Sequence, residues 1–306
     1  MTEVPAPAFS ICIPTYNRSG LLAGVFENLG ALRGPAFELV LVNDGSPDDT
    51  VAVIERLSAE ASFPVRAVHI PHGGLGPALN AAFDHAAGEF IIIMDDDDLI
   101  RPDCLEVALD AWQAIPANQR DQYWGICGLC EYEDGILVGK RFPDDLLDTD
   151  YFTMRMVRNV RGDKKEVLRR SALGDFRFEV IEPERRAIKN MLWFGLARTY
   201  RTRFVNTVFM CKGRRPDGIT ANGRRQKVDS PNLTAKYNLS LLQWFPQAPL
   251  WLRFRFAVDF LRYRRHAGEP IESARNQLPA WLALAAAPFA RLAVRRDLKR
   301  LGRPTA

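Results

Sequence analysis

The sequence predicts an α/β fold, a mostly parallel sheet with flanking helices, and three observations carry that prediction. Between Phe9 and Met94, short apolar runs alternate with longer stretches whose apolar residues recur at helical spacing. The junctions are rich in Pro, Gly, Asn and Asp, which turns select. The last apolar run, Phe90-Ile91-Ile92-Ile93-Met94, delivers four adjacent carboxylates, Asp95 to Asp98.

Taken in order, strands are expected at Phe9 to Ile13, Glu38 to Asn43, Val65 to Ile70 and Phe90 to Met94. Helices are expected at Ser19 to Leu32, Asp49 to Ala61 and Leu75 to Ala87. Open α/β sheets bind ligands beyond the carboxyl ends of their strands, so the segments that follow these strands should converge. The first is Pro14-Thr15-Tyr16-Asn17-Arg18, a hydroxyl, an aromatic face, an amide and a cation suited to a base, a ribose and a phosphate. Its plainer reading is a helix start with Asn17 or Ser19 as N-cap. The second, Asn43-Asp44-Gly45-Ser46-Pro47-Asp48-Asp49, sets Asp44 where a carboxylate accepts hydrogen bonds from a base or ribose, with Asp48 or Asp49 capping the next helix. The third, His72-Gly73-Gly74-Leu75-Gly76-Pro77, leads to Asn80 and lacks both the P-loop Lys and the dinucleotide spacing.

Four like charges side by side resist burial, and a bound cation stabilises them most directly. Oxygen-only ligands suit Mg²⁺ or Mn²⁺, and Mg²⁺ commonly joins one or two carboxylates to substrate phosphates. The plainer alternative is a solvated acidic loop.

With 306 residues and 47% hydrophobic content the chain has ample material for a large α/β core. Its net charge of +4 is unevenly spread: residues 251–306 carry 12 Lys or Arg against 4 Asp or Glu, so the first 250 are net acidic. Nucleic-acid binding would call for a basic face on the core itself, so no nucleic-acid partner is expected. Cys12, Cys104, Cys127, Cys130 and Cys211 are an odd number with no second metal-spaced pair, which reads as packing in a reduced, cytoplasmic protein. Residues 1 to 9 have neither the charged start nor the apolar core of a secretory signal. From Leu241 onward Trp and Phe interleave with Arg, and Leu278 to Ala290 runs apolar for too short a stretch to span a bilayer, interrupted by Pro279 and Pro288. Residues 241–306 therefore read as an interfacial helical region that meets an anionic membrane peripherally on its cytoplasmic face, or as helices folded on the core.

Together FSICIPTYNR (Phe9 to Arg18), LVNDGSPDD (Leu41 to Asp49), Gly74 to Asn80 and GEFIIIMDDDD (Gly88 to Asp98), followed by Pro102-Asp103, resemble the inverting family 2 glycosyltransferases. The resemblance covers residues 9 to 115 best, and departs from the family at Leu79, where members often carry Arg. It implies a GT-A, Rossmann-like fold with a C-terminal helical segment, and three parts: a nucleotide-sugar half at 1–115, an acceptor half at 116–235, and a basic helical segment at 236–306. It implies that Pro14, Thr15, Tyr16, Asn17 and Arg18 line the nucleotide, that Asp44 binds base or ribose, and that Asp95 to Asp97 form the D-x-D region. Asp97 then contacts Mn²⁺ or Mg²⁺ with Asp95 in support, Asp96 lies near the ribose, and Asp98 caps a turn. The metal would stabilise charge developing on a diphosphate leaving group.

Inversion by single displacement needs a base for the acceptor hydroxyl, expected from Phe176 to Arg186 ahead of a helix at Ala187 to Ala197. Glu184 is the first choice and Glu182 the second, with Glu179 behind them. Pro183 and Glu184 also read as an ordinary helix start. Val160 to Lys165 reads as a phosphate contact or a solvated loop, and Arg214 to Gly218 with Asn222 to Arg225 as a basic lid or surface loop. The activity implied is transfer from a nucleotide sugar, UDP before dTDP or GDP, to a saccharide or lipid-linked acceptor in envelope or exopolysaccharide synthesis. The alternatives are a nucleotidyltransferase, disfavoured by the loop after the first strand, an aspartyl-phosphate phosphatase, disfavoured by Leu99, and a catalytically inactive sugar-nucleotide-binding or membrane scaffold protein.

Overall fold

The apolar runs at Phe9, Phe37 and Phe90 pair as strands because each can bury both faces under helices, while the run at Val65 takes the part-exposed edge. In the computed structural model, which describes residues 7–184, 186–213 and 223–302, β1 (Phe9–Thr15), β2 (Phe37–Asn43), β3 (Val65–His69) and β4 (Phe90–Ile93) lie in the order β3-β2-β1-β4, all parallel. Helices α1 (Ser19–Gly30), α2 (Thr50–Glu60) and α3 (Leu75–His85) make the crossovers, and every boundary falls within two residues of expectation. Leu22, Val25, Phe26 and Leu29 recur at i, i+3, i+4 and i+7, so one face of α1 closes over Ile11, Ile13, Leu39 and Leu41. Each such side chain contributes about 1.5–3 kcal/mol on burial.

The later strands change the character of the sheet. They are β5 (Asp98–Ile100), β6 (Tyr123–Tyr132), β7 (Leu146–Thr149), β8 (Lys164–Arg169) and β9 (Arg201–Lys212), and the path continues β4-β8-β6-β9-β5 with β7 on β9. Only β6 and β9 pair in parallel there; the other pairs are antiparallel. The sheet is therefore mixed, and its parallel character belongs to β1–β4. At the amino ends of those strands the buried Glu38 accepts from Ser10 Oγ (2.6 Å) and the Ala87 N–H (2.7 Å), while Ser10 Oγ accepts from the Gly88 N–H (2.8 Å). A Cβ at Gly88 would lie 2.6 Å from the Phe9 backbone, so only glycine lets α3 turn into β4 so tightly.

The chain forms two compact units, residues 1–179 with 199–214 and residues 180–198 with 215–306. The second unit consists of helices, chiefly Asn190–Leu196, Pro231–Trp244, Leu250–His266 and Ala280–Arg300. Pro279 precedes the last of these and Pro288 sits within it on the exposed side, so neither proline interrupts the helix as expected. Among the described residues no helix is long and apolar enough to cross a membrane. In its interior Asp297 accepts from Arg262 Nε (2.6 Å) and Nη2 (2.7 Å), and His266 Nε2 lies 3.0 Å away. Burial works against the charge of Asp297, but the hydrogen bonds from Arg262 and His266 outweigh it and hold the carboxyl below its ordinary range. The four buried cysteines are pure packing, their thiols pushed up by burial, to about 12 for Cys104 and Cys130.

Two outcomes follow. Glu38→Ala leaves Ser10 and the Ala87 N–H without their acceptor and should cost about 2–3 kcal/mol in urea unfolding. Asp297→Asn should cost about 3 kcal/mol at neutral pH. Because the folded carboxyl is held low, the wild-type advantage is complete above the ordinary carboxylate pKa of about 3.9 and fades as pH falls through the folded value, so the two stability curves should converge in acid.

Candidate functional site

At the end of β1 the chain turns sharply: Asn17 takes a left-handed φ of 54°, which its short amide tolerates. Helix α1 is not capped by Asn17 or Ser19 side chains as expected. The following loop does it, since Asp48 accepts from the Ser19 N–H (3.2 Å) and Ser46 Oγ from the Asn17 N–H (2.9 Å). Asp48 also accepts from the Thr50 N–H and hydroxyl at the start of α2, as expected of it. Pro14 is half-buried and Thr15 buried, while Tyr16 is exposed and stacks on His72 with ring centres 4.0 Å apart and planes 18° from parallel.

Asp44 is buried at the end of β2 and its carboxylate is shared among the neighbouring loop. Oδ1 accepts from the Gly73 N–H (2.8 Å) and Oδ2 from the Gly74 N–H (2.9 Å). His72 Nδ1 lies 2.9 Å from Oδ2, and a carboxylate only accepts, so Nδ1 carries the hydrogen. Gly45, at φ 66°, has no room for a side chain, because a Cβ would sit 2.6 Å from the His72 nitrogen. Asp44 thus joins the second loop to the third and presents His72 to Tyr16. At the far end of that loop Leu79 is buried, and the Asn80 side chain pairs both ways with the Phe178 backbone (2.7 and 2.8 Å).

The acidic run resolves into two pairs. Asp96 and Asp98 are buried; Asp95 and Asp97 are half-exposed. Asp96 accepts from Thr15 Oγ1 (2.8 Å) and Arg18 Nη1 (2.7 Å), and the same nitrogen reaches Asp97 Oδ2 at 3.3 Å. Burial raises the Asp96 carboxyl above its ordinary range against the pull of Thr15 and Arg18. Asp98 opens β5, its N–H donating to the Asp95 carbonyl (3.2 Å), and Lys212 Nζ lies 3.3 Å from its carboxylate and 3.1 Å from Asp163. Burial raises Asp98 too, opposed by Lys165 and Lys212. Burial also opposes the charge of Lys212, but Asp163 and Asp98 prevail and raise it. Lys165, fully inside, donates to the Ile93 carbonyl at 2.6 Å. The run Val160 to Lys165 is a loop only in part: Arg161 and Asp163 are exposed, whereas Lys164 and Lys165 belong to β8 and are buried, Lys165 against the end of β4. Sequence reasoning missed Lys165, Lys212 and the placement of His72, and Lys164–Arg169 carries no period-two pattern that would announce β8.

The second unit places the remaining candidates. No helix begins at Pro183 and Glu184; the first one starts at Asn190. A tight turn, closed by the Glu184 N–H on the Ile181 carbonyl (2.6 Å), buries Glu184 and leaves Glu182 exposed. Glu184 Oε1 accepts from the Asn232 N–H (2.8 Å) and Nδ2 (3.0 Å), and Oε2 from the Leu233 N–H (2.8 Å). It caps helix Pro231–Trp244 from another part of the chain, where orphan N–H groups and the helix dipole favour an anion. Arg214 to Gly218, and residue 222 of the second basic stretch, lie outside the described residues, as does Arg185.

The model of the family described as glycosyl transferase family 2 matches residues 10–136. Over 102 residues the chain is 32% identical to poly(ribitol-phosphate) beta-N-acetylglucosaminyltransferase TarS of Staphylococcus aureus (strain Mu50), covering 33% of this chain and 18% of that protein. It is 33% identical over 144 residues to the putative glycosyltransferase EpsH of Bacillus subtilis (strain 168), covering 47% of this chain and 39% of that one. The chain thus matches well under half the length of these relatives. Among solved structures, S. aureus TarS 1–349 in complex with UDP-GlcNAc superposes with a TM-score of 0.58 at 16% identity, over 97% of this chain and 93% of that one. Mannosyltransferase PcManGT from Pyrobaculum calidifontis, in complex with GDP-Man and Mn²⁺, gives 0.57 at 19% identity, over 95% and 84%. The fold is that of the GT-A glycosyltransferases, a mixed sheet with flanking helices and a helical C-terminal segment. Over residues 10–136 the chain is similar to glycosyl transferase family 2.

Proposed function

We propose that the protein is an inverting glycosyltransferase that moves a sugar from a nucleotide-diphosphate sugar, UDP-linked in the first instance, to a hydroxyl of a saccharide or lipid-linked acceptor in envelope or exopolysaccharide synthesis. The observation that carries this reading is the division of the acidic run, which keeps Asp95 and Asp97 at the surface of the strand ends while Asp96 and Asp98 are neutralised from within. Relatives that build polysaccharides, and structures holding UDP-GlcNAc or GDP-Man, support it.

Tyr16 and His72 offer an aromatic wall for a nucleobase, Asp44 keeps that wall in place, and Pro14, Thr15 and Asn17 shape the turn beside it. In this reading Arg18 would meet a phosphate, and Asp96, which Arg18 and Thr15 hold, would lie near the ribose. Among the described residues no three metal-ligating side chains form a complete cage. Two carboxylates at alternate positions suit Mn²⁺ or Mg²⁺ that takes further ligands from a diphosphate and water, with Asp97 and Asp95 as the protein's share. When bound, the cation would supply charge stabilisation to the leaving diphosphate.

The proton of the acceptor hydroxyl would pass to a carboxylate of the turn 181–184. Glu184 spends both oxygens on a helix terminus, which makes it the anchor of that turn; Glu182, exposed on the same turn, becomes the stronger candidate for base, reversing their order from sequence. A lipid-linked acceptor would bring residues 241–306 toward an anionic membrane at the cytoplasmic face.

In a thermal-shift titration with nucleotide diphosphates and nucleotide sugars, Mn²⁺ should add stabilisation for at least one of them, and Asp97→Asn should remove the metal-dependent part. Absence of any metal-dependent shift would sink the donor-site reading. Tyr16→Ala should weaken nucleotide binding roughly tenfold, the scale of one lost base-aromatic stack. Glu182→Gln should slow transfer by about 10²–10⁴ while leaving unfolding and nucleotide binding unchanged; Glu184→Gln should instead lower the melting temperature. Normal transfer by Glu182→Gln would move the base elsewhere.

A further inference from the structure

The second unit carries a surface that sugar transfer does not use. Helix Ala280–Arg300 turns Leu282, Ala283, Ala286, Ala287, Ala290 and Val294 inward. On the opposite side Trp281, Leu284, Phe289 and Leu292 follow at spacings of three to five residues, so they form one stripe, and they are 51%, 59%, 56% and 46% exposed. The neighbouring helix Leu250–His266 extends the stripe. Phe254 meets Phe289 edge-on with ring centres 5.3 Å apart, and the Arg253 guanidinium lies 5.7 Å from the Trp281 ring. Trp251, 54% exposed, has the Arg255 guanidinium 5.7 Å from its own ring.

Charge then selects the occupant. Beyond Leu292 the exposed side of the same helix is cationic, with Arg295, Arg296, Lys299 and Arg300. Its only acidic residue, Asp297, is buried on Arg262 and His266 and so does not offset them at the surface. A contiguous apolar stripe is a feature monomeric surfaces seldom leave uncovered. A second copy seated on it would bring two cationic faces together, which their mutual repulsion opposes. Aliphatic and aromatic side chains flanked by arginines are what the boundary between acyl chains and anionic headgroups accommodates.

We propose that this face seats the second unit on an anionic bilayer, with Trp281, Leu284, Phe289 and Leu292 below the headgroups and Arg253, Arg295 and Arg296 at phosphate level. Helix Ala280–Arg300 lies along the membrane plane rather than through it, its basic end in the headgroup layer. The assignment rests on the lipid-side reading of residues 241–306 and specifies which face of which helices makes the contact.

The test is co-sedimentation of the full chain with vesicles of phosphatidylcholine alone and with phosphatidylglycerol added. Wild type should pellet with the anionic vesicles and be released by high salt. Leu284→Ser combined with Phe289→Ser should reduce the partition coefficient roughly tenfold or more. Arg295→Gln with Arg296→Gln should reduce it roughly fivefold per arginine, and both variants should melt with the wild type because the changed side chains are exposed. Failure to pellet, equal pelleting with neutral vesicles, or variants that pellet like the wild type would each overturn the proposal. So would concentration-dependent self-association that the Leu284/Phe289 variant abolishes, since a second copy would then own the face. Nucleotide binding followed on the same samples reports on the first unit, so a failed donor-site reading and a failed membrane contact appear in different measurements.

Discussion

Beyond the end of β4 the chain turns, closed by the Asp98 N–H on the Asp95 carbonyl, and this turn sets four carboxylates in a row alternately inward and outward. Two of them are carried inside the protein. An ionised carboxylate is expensive to bury without a partner, so the fold has to bring cations to it. Arg18 arrives from the turn before α1, Lys212 from the end of β9, and Lys165 from β8. Three distant parts of the chain are fixed by one local repulsion. The other two carboxylates stay part-exposed, and the Arg18 guanidinium that holds Asp96 also reaches Asp97.

The same logic recurs in the second unit, with the sign reversed. There an excess of cations is gathered on the helices Leu250–His266 and Ala280–Arg300, and one buried carboxylate, Asp297, draws in Arg262 and His266. Glu184 does comparable work for a helix terminus. In both units a charge that looks like surface chemistry in the sequence is spent on holding elements together.

The first half of the fold was legible because its information is local. The strands β1, β2 and β4 are buried apolar runs, each helix has its apolar stripe, and the turns carry Gly, Asn or Pro. The strand-end residues Tyr16, Asp44 and Asp97 could be picked out for the same reason. What escaped were pairings between remote segments. Nothing near Asp98 announces Lys212, more than a hundred residues later, and nothing near Glu184 announces the helix at Pro231. Lys164 and Lys165 read as solvated because lysine usually is; only the strand around them, bonded to β4 and β6, shows that they go inside. The mixed second half of the sheet was hidden likewise, since antiparallel insertion of β8 between β4 and β6 leaves no mark on periodicity.

The bond between Asp44 and the loop at Gly73 and Gly74 has a thermodynamic consequence. Two backbone N–H groups and a histidine are held by one buried carboxylate, which fixes the loop that presents His72 to Tyr16. On the proposed nucleotide-binding reading, a planar ring entering beside these side chains would find its partner pre-organised, and little conformational entropy of the loop would be lost on association. Discrimination would then fall to shape and hydrogen bonding of the incoming ring, not to how well a loose loop can wrap around it.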